Sequence, residues 1–143
     1  MTLSTFGAII GFAAEIIDET KRICDGLVEK AKNPLLKEAL QNLIKEEEKN
    51  YALMEKTRRE NVTEMILEPI TGFEREDYAI RLDGLNQEND EGLMDILLLL
   101  IDREKRFFQD ASKKVSLPEV AGIFKKLGRK KEEALQKCKG MEV

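Results

Sequence analysis

Histidine and tryptophan are absent from this 143-residue chain, and proline (three), cysteine (two) and glycine (nine) are scarce. With no histidine, no imidazole can serve as a metal ligand. Cys24 and Cys138 are too few for a disulfide framework and suit a reducing compartment. Long apolar runs are missing too. The longest, Leu93 to Ile101, is nine residues with Asp95 inside it, well short of the roughly 20 that a membrane-spanning helix needs. Met1-Thr2-Leu3-Ser4-Thr5 lacks the charged n-region of a secretory leader, so a cytoplasmic protein is expected and membrane attachment is not. The sequon Asn61-Val62-Thr63 is then a coincidence.

What is abundant is charge (36%) and hydrophobicity (42%), a mixture typical of long amphipathic helices and poor for sheets. The length fits one domain, 1–143, with room for a real core. A net charge of −4 argues against nucleic acid as a partner of the whole chain. The charge is unevenly spread, however. Residues 64–91 hold nine acidic side chains against Arg75 and Arg81, whereas the last helix carries Lys125, Lys126, Arg129, Lys130, Lys131, Lys137 and Lys139. That basic face is expected to be solvated, or to dock on the acidic segment of the same or a second subunit.

The periodicity predicts four helices. The first starts near Ser4 or Thr5 and runs to about Lys32, with Ile9, Phe12, Ala13, Ile16, Ile17, Thr20, Cys24 and Leu27 on its apolar stripe. Asn33-Pro34 supplies an N-cap and a first helical residue for the second helix, which runs to about Glu60. So short a connection makes the two helices antiparallel neighbours. The second helix's apolar face is interrupted at its centre by Glu47 and Asn50. Residues 61–89 form a long crossover rich in turn residues, with a short helix expected around Glu74–Ile80. It is too apolar for a free linker, through Ile66, Leu67, Ile70, Phe73, Tyr78, Ile80, Leu82 and Leu85. A third helix follows from Asn89 or Asp90 to about Val115, with Met94, Leu97, Ile101, Glu104 and Phe108 facing in. Ser116-Leu117-Pro118-Glu119 has capping-box spacing and starts a fourth helix that ends at Gly140.

The two helix pairs match each other at one offset, 118 − 34 = 84 residues. Ile17-Asp18 and Lys21-Arg22 pair with Ile101-Asp102 and Lys105-Arg106; Pro34 pairs with Pro118, Leu43 with Leu127 and Glu48 with Glu132. A shared Pro and a shared Ile-Asp-x-x-Lys-Arg pattern, without a gap, point to an internal duplication. The expected architecture is all-α, a four-helix bundle of two duplicated antiparallel pairs (4–60 and 90–139) joined by the crossover.

That plan resembles the ferritin-like superfamily, and the segments Glu29-Lys30-Ala31-Lys32-Asn33-Pro34-Leu35-Leu36-Lys37-Glu38 and Leu43-Ile44-Lys45-Glu46-Glu47-Glu48-Lys49-Asn50 are similar to its rubrerythrin-like branch. The resemblance implies six inward-facing di-iron ligands, two Glu and two Glu-x-x-His motifs. Carried over, they fall on Ile17, Glu47, Asn50, Ile101, Lys131 and Ala134. One ligand of six survives, so no di-iron cofactor is expected, nor the family's oxidase, peroxidase or iron-storage activities. In the family the residues at Glu47 and Lys131 face one another across the metals. Here they are expected to form a buried ion pair, with Asn50 bonding the same carboxylate.

Other readings of these residues stay open. Glu47 and Asn50 fit the edge of the core if the second helix is rotated, and Lys131 fits a snorkelling side chain. Glu15, Asp18, Glu19 and Glu104 lie near the same level and, with Glu47, offer an oxygen-only site for iron or manganese. The two cysteines are expected as separate buried thiols, because the first and fourth helices are diagonal. Tyr51, Phe107 and Phe108 are read as core or dimer contacts. The functional expectation is a non-enzymatic structural or interaction protein, a homodimer burying crossover residues. The alternative is a metal-dependent oxidoreductase or iron-binding protein with a relocated site, and a third reading is an accessory subunit of an active relative.

Overall fold

The structure, a computed structural model, describes residues 5–61, 70 and 72–141. Its helices are α1 (Phe6–Lys30), α2 (Pro34–Glu60), α3 (Asp90–Lys114) and α4 (Pro118–Lys139), with one 3-10 turn at Arg75–Tyr78 inside the expected Glu74–Ile80 stretch. Met1, Thr2, Leu3, Ser4, Val62, Thr63, Ile66 and Leu67, which entered the readings above, lie outside the described residues.

Local chemistry explains the boundaries. Thr5 Oγ1 accepts from Ala8 N at 3.0 Å, Asn33 Oδ1 from Leu35 N at 2.8 Å, and Asn89 Oδ1 from Gly92 N at 2.8 Å. Each satisfies an amide that the helix itself leaves unbonded. α4 departs from expectation: its N-cap is Leu117, with no side-chain cap, so the Ser116 capping box does not form. The cause is Pro118, whose ring favours the first helical position, as Pro34 does in α2. The preceding Leu117 therefore takes the cap place and packs against the core instead. α1 stops two residues before Lys32 because Ala31 turns extended, with ψ 138°. The amides of Lys32 and Asn33 then donate to the Asp90 carboxylate at 2.9 and 2.8 Å.

α1 and α2 form one antiparallel hairpin, α3 and α4 the other. The hairpins meet with α1 antiparallel to α3, since Phe12 packs on Phe107 (ring centroids 5.4 Å apart) while Asn33 reaches Asp90. α2 meets α4 through Glu47 and Lys131. The described crossover residues around Phe73–Tyr78 lie over the α1/α3 side. Tyr78 packs among Phe12, Phe73 and Phe107 and donates its hydroxyl hydrogen to Asp110. Arg75 pairs with Glu15 and sits 4.7 Å over the Phe12 ring. Within the chain these described crossover residues therefore contact α1 and α3 and not the basic face of α4. Phe73 and Tyr78 are buried within their own bundle, and Ile70, Ile80, Leu82 and Leu85 are partly so. Tyr51 is 41% exposed, which removes it from the core, whereas Phe107 and Phe108 are fully buried.

The core falls into two apolar halves. One is aromatic, centred on Phe73, Phe107, Phe108 and Phe124. The other is aliphatic, built from Leu36, Leu40, Leu97, Leu100 and their neighbours, with Cys24 and Cys138 inside it as separate free thiols. Between the halves lies a layer of buried polar side chains: Thr20, Glu47, Arg103, Glu104 and Lys131. Among the described residues no helix is long and apolar enough to cross a membrane.

Candidate functional site

The polar layer is the only place where the helices bring several ionisable groups fully out of water among the described residues. Its centre is the Lys131 ammonium. Lys131 and Glu47 are each 0% exposed, and Nζ donates to Glu47 Oε1. The ion pair expected from the sequence is therefore present, and Lys131 does not snorkel. The helical spacing accounts for the geometry. Glu47 falls on the stripe that carries Leu40, Leu43 and Met54, and Lys131 on the stripe that carries Phe124, Leu127 and Leu135, so both point at the bundle axis.

Two further carboxylates surround the ammonium. Glu46 Oε1 lies 3.0 Å from Nζ in an orientation that makes no hydrogen bond, and its side chain remains 35% exposed. Glu104, from α3, is 0% exposed with Oε2 3.7 Å from Nζ. No donor among the described residues reaches Glu104 Oε1, Glu104 Oε2 or Glu47 Oε2.

Two fully buried carboxyl groups thus share one ammonium, and a second negative charge in so dry a place is strongly unfavourable. Burial, reinforced by the adjacent Glu104, raises the Glu47 carboxyl well above its ordinary range, and the attraction of Lys131 does not cancel this. A proton held by Glu47 against Glu104 leaves one negative and one positive charge in the interior. Lys131 moves the other way: burial opposes its charge, but Glu104, Glu47 and Glu46 together outweigh that and hold the ammonium firmly protonated. Cys24 lies beside the cluster, and burial followed by the charges of Glu47 and Glu104 pushes its thiol up to about 12. Such a thiol is inert, since the thiolate is the reactive form.

The remaining expected positions divide. Ile17 and Ile101 are buried, in the aromatic and aliphatic halves respectively, and Ala134 is partly buried against the aliphatic half. Asn50 is 7% exposed, but its amide makes no bond to Glu47; Nδ2 has no partner. One turn beyond Glu47, Asn50 instead lines a cleft between α2 and α4. The acidic residues proposed for an oxygen-only site do not converge. Glu15 pairs with Arg75, Asp18 with Arg22 and Glu19 with Arg103, leaving Glu104 alone to join Glu47. Among the described residues no three His, Cys, Asp or Glu side chains are grouped to hold a metal ion.

Arg103 is the residue that sequence reasoning missed. It is 2% exposed, pairs with Glu19, and donates to Thr20 Oγ1 at 2.9 Å and to the Ile16 carbonyl at 3.4 Å. A signal for it existed. Glu19 and Arg103 are separated by the same 84 residues as Glu47 and Lys131, with opposite charges at both pairs of positions.

The chain matches no protein-family model, no curated protein and no solved structure. What the polar layer can do chemically therefore rests on its own geometry. It offers no accessible nucleophile, no thiolate and no neutral amine, only a closed cluster with its cation built in.

Proposed function

We propose that this chain is a ferritin-like bundle of the rubrerythrin-like kind, made of two duplicated helix pairs, that works as a non-enzymatic structural or interaction protein of the cytoplasm. The observation that carries this reading is the Lys131 ammonium, which stands among Glu46, Glu47 and Glu104 where the resemblance would put metal ions. A fixed cation balances the buried carboxylates without exchangeable ligands or redox chemistry. The duplication draws support from Glu19–Arg103 and Glu47–Lys131. Contacts between residues at equivalent positions are what a two-fold relation between the pairs produces near its axis.

A second reading, a metal-binding protein with a relocated site, is favoured by the unpartnered oxygens of Glu47 and Glu104. Elemental analysis of the purified chain, before and after incubation with ferrous or manganous ion and desalting, separates the two. Metal below about one-tenth of an ion per chain supports the built-in cation. A stoichiometric ion that survives desalting overturns it in favour of the second reading.

A further inference from the structure

We propose that the cleft between α2 and α4 is a binding site for a small organic phosphate. The cleft has a volume of about 650 Å³, the size of site that encloses most of a nucleotide-sized molecule. Lys45 and Lys49 stand on its α2 wall and Lys126 and Lys130 on its α4 wall. All four are exposed, and none has a carboxylate partner among the described residues. Glu46, which also lines the cleft, is engaged with Lys131.

Several exposed charges on the helices are paired with an opposite charge four residues away, as in Asp18–Arg22, Lys21–Asp25, Lys56–Glu60 and Asp102–Arg106. Here two lysine pairs at that same spacing face each other across a seam. Like charges so placed destabilise both helices, and a bound anion removes the repulsion. The second observation is independent of charge. The amide of Asn50, 7% exposed and lining the same cleft, has an Nδ2 with no acceptor. Turned toward the cleft, the carboxamide donates to an oxygen of a bound anion.

The chemistry selects the ligand class. Four ammonium groups are compact point charges suited to the many oxygens of phosphate. The floor beneath them, with Leu53 and Leu127, is apolar and takes the organic part of the molecule.

The test is titration calorimetry of the full chain at low salt, with adenosine triphosphate and inorganic tripolyphosphate as probes. One saturable site per chain is expected, with the nucleotide binding more tightly because its ring uses the apolar floor. Replacing Lys49→Gln together with Lys126→Gln should weaken binding about a hundredfold, from two lost charge-assisted contacts of about tenfold each. Asn50→Leu should weaken it about tenfold with no change in net charge; if that variant does not fold, the lysine pair decides. Lys37→Gln with Lys137→Gln, an equal charge change away from the cleft, should leave affinity within about twofold. No saturable binding up to about 1 mM overturns the proposal. Equal losses in the cleft and control variants also overturn it, because they mean a diffuse field and no site. So does a twelve-nucleotide single strand that binds more than about a hundredfold tighter than the nucleotide, which would assign the surface to nucleic acid.

Discussion

Replacing Lys131→Met tests the central cluster most directly, because methionine keeps much of the lysine stem and removes only the ammonium. Glu47 and Glu104, both 0% exposed, then have no cation. One proton between them no longer suffices, so either a bare carboxylate stays buried or a second proton must be taken up. Removing one member of a buried ion pair destabilises by about 3–5 kcal/mol. With a urea slope of about 2 kcal/mol per molar, the midpoint should fall by about 2 M. Equilibrium unfolding followed by circular dichroism reads this at pH 7. Because Glu47 holds the proton, the carboxylate left bare is Glu104, and the double variant Lys131→Met with Glu104→Gln carries one buried charge fewer and should recover more than half of the loss. A cycle of the two single changes and the double change then gives a coupling of at least about 1 kcal/mol. If Lys131→Met unfolds within about 1 kcal/mol of the parent, the ammonium does not hold this cluster together and the reasoning fails.

Three further outcomes follow from the same structure. Glu47 is raised in the folded state above its ordinary value of 4.5, so above that pH the folded chain keeps a proton that the unfolded chain has lost. Stability should be greatest near pH 4.5 and fall as pH rises towards the folded value, by at most about 1.4 kcal/mol per unit. The lowered Glu76 and Glu132 titrate below this window. Glu104→Gln, which removes the adjacent negative charge, should flatten that slope, and an unchanged slope would show the proton lies elsewhere. Cys24, 0% exposed and with its thiol pushed up to about 12, should resist thiol reagents at pH 8 in the native chain and react on unfolding; prompt native labelling of Cys24 would contradict its placement. Arg103→Leu should destabilise by about 1–3 kcal/mol, less than Lys131→Met. Its partner Glu19 is already 43% exposed and can turn to water. A larger loss than for Lys131→Met would invert the ranking of the two pairs.

Much of this arrangement can be read from residues. Asn33-Pro34 marks the start of α2 without ambiguity because both residues suit their positions for separate reasons. At α4 the same rule misleads, since Ser116 offers a familiar spacing while Pro118 decides the boundary; the repeat, which aligns Leu117 with Asn33, was the better guide. Glu47 opposite Lys131 was expected because the resemblance places those two positions face to face, and each interrupts an apolar stripe. The role of Glu104 was less so. A single Glu on a core face reads equally as a rim residue, and only the packing of α3 brings it to Nζ. Asn50 shows the limit of helical projection. It lies on the same stripe as Glu47, yet one turn moves it from the axis to the cleft wall. The crossover was the least legible, because its contacts join residues distant in the chain, such as Tyr78 with Asp110 and Arg75 with Glu15.

The charged layer between the two apolar halves also acts as a ruler. Leucine packs nearly as well against leucine one helical turn away, so a purely aliphatic bundle tolerates sliding in steps of about 5.4 Å. Here such a step would carry Lys131 to the level of a leucine or a phenylalanine and strand its ammonium away from Glu47 and Glu104. The Glu19–Arg103 contact penalises the same slip between α1 and α3. Two ionic contacts at mid-length thus select one longitudinal alignment for both helix pairs. The exposed residues that flank them, including the four cleft lysines, keep a fixed spacing across the seam.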